Sequence, residues 1–281
     1  MGPHEDVAVA DLGPRLVFVG GMHRSGTTPF TSALGRHPEV SGLTGTGVLE
    51  DEGQHLQDVY PVAAAYGGPG RFALDPRSHL TEDSPLASPE AAQRLLRAWS
   101  PYWRSERHLL IEKSPPNIVM GRFLQALFPG SALVVVVRHP VSVALATLKW
   151  RRLVSRRPQN AASVELMVHN WVSAHETLLA DLPHLRRVRI IRYEDLVAQP
   201  ESTLTEVGDL LGLQTPVPHS SLVGSHTSDY ERRWQAMERT PWGRRQRRQI
   251  IDQYGEFVAG FGYELETLDA VEPLRLVVPR D

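Results

Sequence analysis

Cysteine is absent from the 281 residues, and this excludes disulfide bonds, thiolate zinc sites and a cysteine nucleophile. No stretch approaches the roughly 18 consecutive apolar residues that a membrane-spanning helix needs. The first residues are acidic and mixed, without the basic start and apolar run of a secretory leader. These absences favour a cytoplasmic protein.

Lysine is also scarce, because only Lys113 and Lys149 among the 30 basic residues are lysines. A lysine in a chemically suggestive place therefore carries more weight than usual. The formal net charge of -2 gives no general attraction to nucleic acid or to an anionic membrane. We expect no nucleic-acid partner, and any anion binding must be local.

Short apolar segments alternate with segments of helical pattern. The strands are predicted at residues 15–20, 108–112, 132–137 and 187–192. The helices are predicted at residues 28–35, 88–103, 117–128, 140–152, 163–182, 202–211 and 244–261. This alternation predicts an α/β fold with a central parallel sheet flanked by helices, and a ligand site at the carboxyl ends of the strands. We expect one domain over residues 1–281, with an N-terminal tail at residues 1–14.

A glycine-rich turn follows the first predicted strand. Gly21 and Gly26 have the spacing of a phosphate-binding loop, and Arg24, Ser25, Thr27 and Thr28 add groups that can hold phosphate oxygens. Backbone N–H groups of such a loop face an anion, and the following helix adds its positive end. The sequence therefore predicts phosphate binding at this turn.

Two positions distinguish this loop from that of a nucleoside triphosphatase. Thr27 stands where the phosphate-binding lysine would be, and the apolar strand at residues 132–137 ends in Arg138 instead of a magnesium-binding aspartate. Two anion sites at neighbouring strand ends suit a nucleotide that is phosphorylated at two places. A kinase with an altered lysine and a non-catalytic nucleotide-binding protein are the alternatives.

These motifs resemble the sulfotransferases that use 3′-phosphoadenosine-5′-phosphosulfate (PAPS), in particular the tyrosylprotein and heparan sulfate branch. The resemblance covers about residues 16–213 and implies a three-layer, P-loop-like fold, PAPS as donor, 3′,5′-phosphoadenosine (PAP) as product and no required metal. The loop would hold the 5′-phosphosulfate, and the segment Arg138 to Ser142 the 3′-phosphate, with Tyr193 near the nucleotide. The implied donor-binding residues are Arg24, Ser25, Gly26, Thr27, Thr28, Arg138, Ser142 and Tyr193.

One position departs from the family pattern. The serine that usually lies eight residues after the 3′-phosphate arginine is replaced by Ala146. Thr147 or Ser142 could substitute for it, or a basic residue from the run Arg244 to Arg248 could.

The resemblance also implies catalytic residues. Lys113, at the end of a predicted strand, would lie beside the transferred group as a cation. A general base is expected from residues 50–55, and Glu52 is the first choice, with Glu50, Asp51 and His55 as alternatives. His23, inside the loop, is a further catalytic candidate, with an orienting role toward the donor or the acceptor as the alternative.

The acceptor cannot be identified from sequence, and a small molecule, a glycan or a lipid are all compatible with the family. The loops at residues 41–77 and 216–241 are expected to form its site. Trp234 and Trp242 are the preferred tryptophans for lining it. Trp99, Trp103, Trp150 and Trp171 are expected to pack between helices.

Overall fold

The computed structural model describes residues 9–154, 163–220, 222, 227–272 and 274. Its centre is a sheet of five parallel strands in the order β2-β3-β1-β4-β5. The strands are β1 (Leu16–Gly21), β2 (Val40–Gly42), β3 (Leu109–Lys113), β4 (Ala132–Val137) and β5 (Val188–Arg192). The central parallel sheet predicted from the alternating pattern is confirmed.

Helices cover both faces of the sheet. The α-helices of the described residues are α1 (Val9–Leu12), α2 (Thr27–Leu34), α3 (Pro89–Trp99), α4 (Gly121–Leu127), α5 (Pro140–Val154), α6 (Val164–Asp181), α7 (Tyr193–Ala198), α8 (Pro200–Leu211), α9 (Thr227–Ala236) and α10 (Pro241–Ala259). No helix of these described segments has the length and apolar character needed to cross a membrane.

Alternate residues of the strands face two separate apolar clusters, because side chains along a strand point to opposite faces. Leu16 and Phe18 of β1 pack with α3, α4 and α6. Val17 and Val19 pack on the other face with Phe30 of α2 and with α8. Both clusters are buried, so the molecule has three layers, as predicted.

The strand register brings three carboxyl ends together. Val19 of β1 is opposite Lys113 of β3, and Gly21 of β1 is opposite Val136 of β4. The residues that follow β1, β3 and β4 therefore share one edge of the sheet. This edge is where the sequence places the phosphate loop, Lys113 and Arg138.

Several parts of the structure differ from the sequence prediction, which contained no helix at α7. The strand β2 was not predicted, because it has only three residues and pairs with β3 alone. The single helix predicted at residues 117–128 is a 3₁₀ helix, Pro115–Val119, followed by α4. The segment 216–241 was expected to be irregular, yet it contains α9 and the start of α10.

Candidate active site

A cavity of about 660 Å³ opens at the shared carboxyl edge of the sheet. The groups that line it come from the phosphate loop, the segment that follows β2, the residues after β3, β4 and β5, and the helices α5 and α9. The lining residues are His23, Arg24, Gly26, Thr27, Thr28, Pro29, Leu49, Glu50, Glu52, Gln54, His55, Ala63, Ala64, Pro69, Pro115, Arg138, Ala146, Trp150, Tyr193 and Tyr230.

The phosphate loop turns tightly between β1 and α2. Gly26 caps α2 with a φ of 103°, a left-handed conformation that favours glycine. A Cβ atom at Gly26 would lie 2.2 Å from Cδ2 of Tyr193, so the tyrosine ring packs directly on the loop. The Ser25 N–H group donates to the Met22 carbonyl at 2.9 Å and closes the turn.

Arg138 joins the loop to the end of β4. Its Nη1 atom donates to the carbonyl of Arg24 at 3.2 Å, and its guanidinium lies 4.4 Å from the centre of the Tyr193 ring. The Arg138 carbonyl accepts a 3.0 Å hydrogen bond from Nε1 of Trp171. The two arginines expected to bind the two ends of a donor nucleotide therefore lie on the same side of the molecule.

Two hydroxyl groups near these strand ends fit an anionic ligand. Ser25 Oγ and Ser142 Oγ are buried and have no hydrogen-bond partner among the described residues. A buried hydroxyl without a partner is unfavourable unless a ligand or water completes its bonding. Ala146 lines the cavity, and Ser142 and Thr147 are both 1% exposed, so either hydroxyl stays a candidate to replace the missing serine.

Lys113, at the end of β3, is buried among acidic groups. Its Nζ atom lies 3.3 Å from Oε1 of Glu52 and donates to the backbone carbonyl of Glu50 at 2.9 Å. It is also 3.5 Å from Oγ1 of Thr28 in the phosphate loop. A rare lysine thus connects the loop to the acidic segment at residues 50–55.

Glu50 occupies the mouth of the loop. Its carboxylate accepts hydrogen bonds from Arg24 Nη1 at 3.1 Å and from Thr28 Oγ1 at 2.7 Å, and lies 3.9 Å from Lys113 Nζ. Two residues expected to bind the donor are therefore held by a carboxylate of the protein itself.

The other members of the acidic segment have different environments. Asp51 accepts hydrogen bonds from the backbone N–H and the hydroxyl of Thr46. These bonds stabilise a turn, and they do not direct the carboxylate of Asp51 toward the cavity as a general base would require. Glu52 is buried, and burial raises its pKa while Lys113 and a hydrogen bond from Gln54 lower it. His55 Nε2 lies 3.7 Å from Oε2 of Glu52. Glu52 is thus the buried carboxylate that borders the cavity.

His23 is held in its neutral form. Burial, and then the charge of Lys113, lower its pKa to about 3. Its ring meets Phe72 edge to face, with 5.5 Å between ring centres. A neutral imidazole at this position can orient a bound group through hydrogen bonds, and its low pKa makes it a poor proton acceptor.

Two buried residues, Glu112 behind the site and Gln54 in the cavity wall, were missed by the sequence analysis. Glu112 is fully buried in β3, and burial raises its pKa to about 7. Gln54 donates to Oε2 of Glu52 at 2.6 Å. A glutamate inside an apolar strand was a visible signal for Glu112, whereas nothing in the sequence distinguished Gln54.

Several residues lie elsewhere than predicted. Trp234 is buried, with Nε1 bonded to the Leu265 carbonyl, and Trp242 is exposed, so neither lines the cavity. Trp150, expected to be a packing residue, does line it. These tryptophans lie in α5, α9 and α10. The sequence pattern did not show which face of each helix is turned toward the cavity.

The arginines between Arg244 and Arg248 in α10 are not among the residues that line the cavity. Arg247 pairs with Glu238 and lies over the Trp234 ring. Arg244, Arg245 and Arg248 border a different surface hollow with Asp252. The expectation that one of these residues borders the donor cavity is not met by the described structure.

The chain is similar to known sulfotransferases over most of its length. The model of the sulfotransferase family matches residues 14–217. The chicken protein-tyrosine sulfotransferase 2 is 26% identical over 216 residues, covering 74% of this chain and 55% of the relative. The chain therefore spans about half the length of that curated relative.

One solved structure shares the architecture, and a second is similar to a lesser degree. The sulfotransferase STF9 from Mycobacterium avium is 16% identical, covers 94% of this chain and 80% of its own, and has a TM-score of 0.54. The mouse sulfotransferase SULT7A1, solved with PAP, is 10% identical over 84% of this chain and 73% of its own, with a TM-score of 0.42. The first likeness supports the fold, and the family match supports more than the fold: this chain belongs to the sulfotransferase family.

Proposed function

We propose that the protein transfers a sulfuryl group from PAPS to a hydroxyl or amine of an acceptor. The observation that carries the proposal is the meeting of three cations at neighbouring strand ends: Arg24 after β1, Arg138 after β4 and Lys113 at the end of β3. Transfer of a sulfuryl group resembles phosphoryl transfer, in which charge spreads over the transferred and leaving oxygens. These three side chains supply positive charge there, so we propose that no metal ion is required.

The donor residues have distinct roles in this proposal. The loop from Arg24 to Thr28 would hold the 5′-phosphosulfate through backbone N–H groups, hydroxyls and one guanidinium. Arg138 and the buried hydroxyl of Ser142 would hold the 3′-phosphate. Tyr193, which packs on Gly26 and under Arg138, would border the nucleotide.

The transfer itself would use Glu52 and Lys113. Glu52 accepts the proton of the acceptor group as the new acceptor–sulfur bond forms. The bond from sulfur to the 5′-phosphate oxygen breaks, and its electron pair stays on PAP. Lys113 stabilises that developing charge, and His23, neutral at pH 7, orients the bound groups.

The loops at residues 41–77 and 216–241 are proposed to form the acceptor site. Support comes from the cavity, which is lined by Leu49, Ala63, Ala64 and Pro69 of the first loop and by Tyr230 of the second. The acceptor is proposed to be a small molecule, a glycan or a lipid. A cytoplasmic location stays a prediction.

The test begins with ligand binding. PAP at saturating concentration should raise the melting temperature of the protein in buffer that contains EDTA, because a ligand that binds only the folded state stabilises it. ATP with magnesium should raise it far less. The reverse order would support the kinase alternative and overturn the proposal.

The same protein then tests catalysis. Labelled PAPS is incubated with an acceptor library, and Glu52→Gln and Lys113→Met are compared with the remote exposed variant Glu90→Gln. Loss of a general base should lower the transfer rate by about 10²–10⁴-fold, while PAP still binds. Full rates in both site variants would show that other residues catalyse the transfer. Binding of PAP by the wild type without any transfer would indicate a non-catalytic protein.

A further inference from the structure

Gln54 is a buried side chain that the chemistry above does not use. Its side chain is 1% exposed, yet it makes a 2.6 Å hydrogen bond to Oε2 of Glu52. Lys113 approaches the other oxygen, Oε1, at 3.3 Å. The two oxygens of the proposed base therefore have different partners, one an amide and the other an ammonium group.

The orientation of Gln54 is fixed by three further hydrogen bonds. Its Oε1 atom accepts from the Ala63 N–H at 3.0 Å, so only the amide nitrogen is left to face Glu52. Its own N–H donates to Ser114 Oγ at 2.9 Å, and its carbonyl accepts from Gln57 Nε2 at 3.1 Å. Because its backbone and its side-chain oxygen are both held, the Gln54 side chain loses little conformational freedom when it bonds to Glu52.

Ser114 connects Gln54 to the sheet. The Ser114 hydroxyl donates to Oε1 of Glu112 at 2.6 Å while it accepts from Gln54. Oε2 of Glu112 accepts from Asn117 Nδ2, which also donates to the carbonyl of Val19 in β1. One continuous buried chain of hydrogen bonds thus runs from the strand that enters the phosphate loop to the carboxylate of Glu52.

The packing leaves the segment little room to move. A Cβ atom at Gly53 would lie 2.5 Å from Oε1 of Glu112, so this glycine sits directly on the buried carboxyl group. The Gly53 carbonyl accepts from Nε1 of Trp99 at 3.1 Å. The residues on both sides of Gly53, Glu52 and Gln54, are therefore located by contacts to β3 and α3.

We propose that Gln54, held in place by Ser114 and through it by Glu112, is a positioning residue that keeps Glu52 ionised and aimed at the acceptor. This inference rests on the proposed function, because it takes Glu52 as the base. Gln54 also lines the cavity, and in this proposal it acts through its hydrogen bond to Glu52. Loss of the chain should alter the proton transfer and leave donor binding intact.

A positioning role predicts a shift in the pH dependence of the reaction. The amide of Gln54 donates to the charged form of Glu52 and so lowers its pKa, against the effect of burial. Without that donor the carboxylate would be protonated at higher pH. The other charged or titratable groups around Glu52 stay in place: Lys113, Glu112, Glu50, His55 and His23.

The experiment measures PAPS hydrolysis by excess enzyme, with water in place of the unidentified acceptor, across pH 4 to 9. In Gln54→Met the acid limb of the rate profile should move upward by about one pH unit, the size expected for one hydrogen bond to a charged group. Gln54→Glu, which keeps the shape, should move it at least as far. The affinity for PAP should remain within about twofold in both variants.

Gln125→Met is the matched control. Gln125 lies in α4, where its side chain donates to the carbonyl of Ser131 and accepts from the N–H of Arg186, so the same substitution removes hydrogen bonds of another part of the structure. A merely structural role for Gln54 would lower the rate or the melting temperature and leave the acid limb where it is, as Gln125→Met should do.

The outcomes separate this inference from the proposed function. An unmoved limb in both Gln54 variants, with Glu52→Gln inactive, overturns the positioning role alone. Full activity of Glu52→Gln would show that Glu52 is not the base, and the positioning role of Gln54 would then be overturned as well. Absence of PAPS turnover in the wild type, with no labelled product from the acceptor library, overturns both.

Discussion

Glu50 places a negative charge among the groups that we assign to the donor. Its carboxylate bonds to Arg24 Nη1 at 3.1 Å and to Thr28 Oγ1 at 2.7 Å. A phosphosulfate that binds the same groups must displace this carboxylate or approach it closely. At the scale of one residue, Glu50 and the proposed donor therefore compete for the same two side chains.

The variant Glu50→Gln should consequently bind PAP more tightly. Arg24 is partly exposed, and such pairs contribute up to about 1 kcal/mol, so we expect a gain of roughly two- to fivefold in affinity. Isothermal titration with PAP measures it. Asp58→Asn, which breaks the exposed pair between Asp58 and Arg94, is the control and should change nothing. Weaker binding by Glu50→Gln would show that Glu50 assists the donor.

Single residues were predictable where their type is rare or their spacing is specific. Lys113 stands out as one of only two lysines in the sequence, and Arg138 ends an unbroken apolar run. Gln54 could not be predicted, because its role depends on a hydrogen bond to Glu52 that is possible only after both are buried. The same holds for the choice among Glu50, Asp51 and Glu52, which differ in their partners and not in their type.

At the scale of elements, the contact between the phosphate loop and the start of α7 deserves a direct test. Gly26→Ala would introduce a Cβ atom 2.2 Å from the Tyr193 ring, at a φ of 103°. Strained backbone of this kind costs on the order of 1–3 kcal/mol. We expect PAP affinity to fall by about tenfold or more, because the loop and Tyr193 must move apart.

A second glycine provides the control for that substitution. Gly255 lies in α10, and nothing is within 4 Å of a Cβ atom built on it. Gly255→Ala should leave PAP affinity unchanged and stabilise the protein by about 0.5–1 kcal/mol through helix propensity, measured by urea unfolding. Equal PAP affinities for Gly26→Ala and Gly255→Ala would contradict the assignment of the phosphate loop to the donor site.

Elements were predictable in proportion to their length and pattern. The strand β4, with six consecutive apolar residues, has the bounds that the sequence indicated. The strand β2 has three residues and could not be recognised, since its pairing with β3 is a contact between distant segments. The helix α9 was missed for another reason, because polar and charged residues occupy most of its ten positions and leave few apolar ones to mark a helical face.

At the scale of the whole molecule, the sheet topology explains why separate motifs form one site. The order β2-β3-β1-β4-β5 places β1 between β3 and β4, so the residues after these three strands converge. The predicted parallel sheet implied this convergence in general terms. The strand order and the path of residues 43–88 depend on tertiary contacts between distant segments, which the local sequence pattern does not encode. The segments that we propose for the acceptor site are therefore the least predictable part of the fold.

The stability of the whole molecule should also depend on pH in a defined way. His175 is fully buried in α6, stacked on Trp171 at 3.7 Å between ring centres, and burial lowers its pKa from 6.5 to about 3. The unfolded chain binds a proton at this histidine below about pH 6.5, whereas the folded chain does not. Folding free energy is therefore lost as the pH falls from 6.5 towards 3.

Removing this histidine should reduce that loss. His175→Phe keeps an aromatic ring beside Trp171, and between pH 7 and pH 5 it should lose about 2 kcal/mol less unfolding free energy than the wild type. Glu112 acts in the opposite direction, because its pKa is raised from 4.5 to about 7 and the stability of its protonated form is lost as the pH rises through that range. Its contribution is the same in both proteins and cancels in the comparison. Urea unfolding at the two pH values measures the difference, with the exposed His108→Gln as control. Parallel losses in His175→Phe and the wild type would mean that His175 titrates in the folded protein as it does in the unfolded chain.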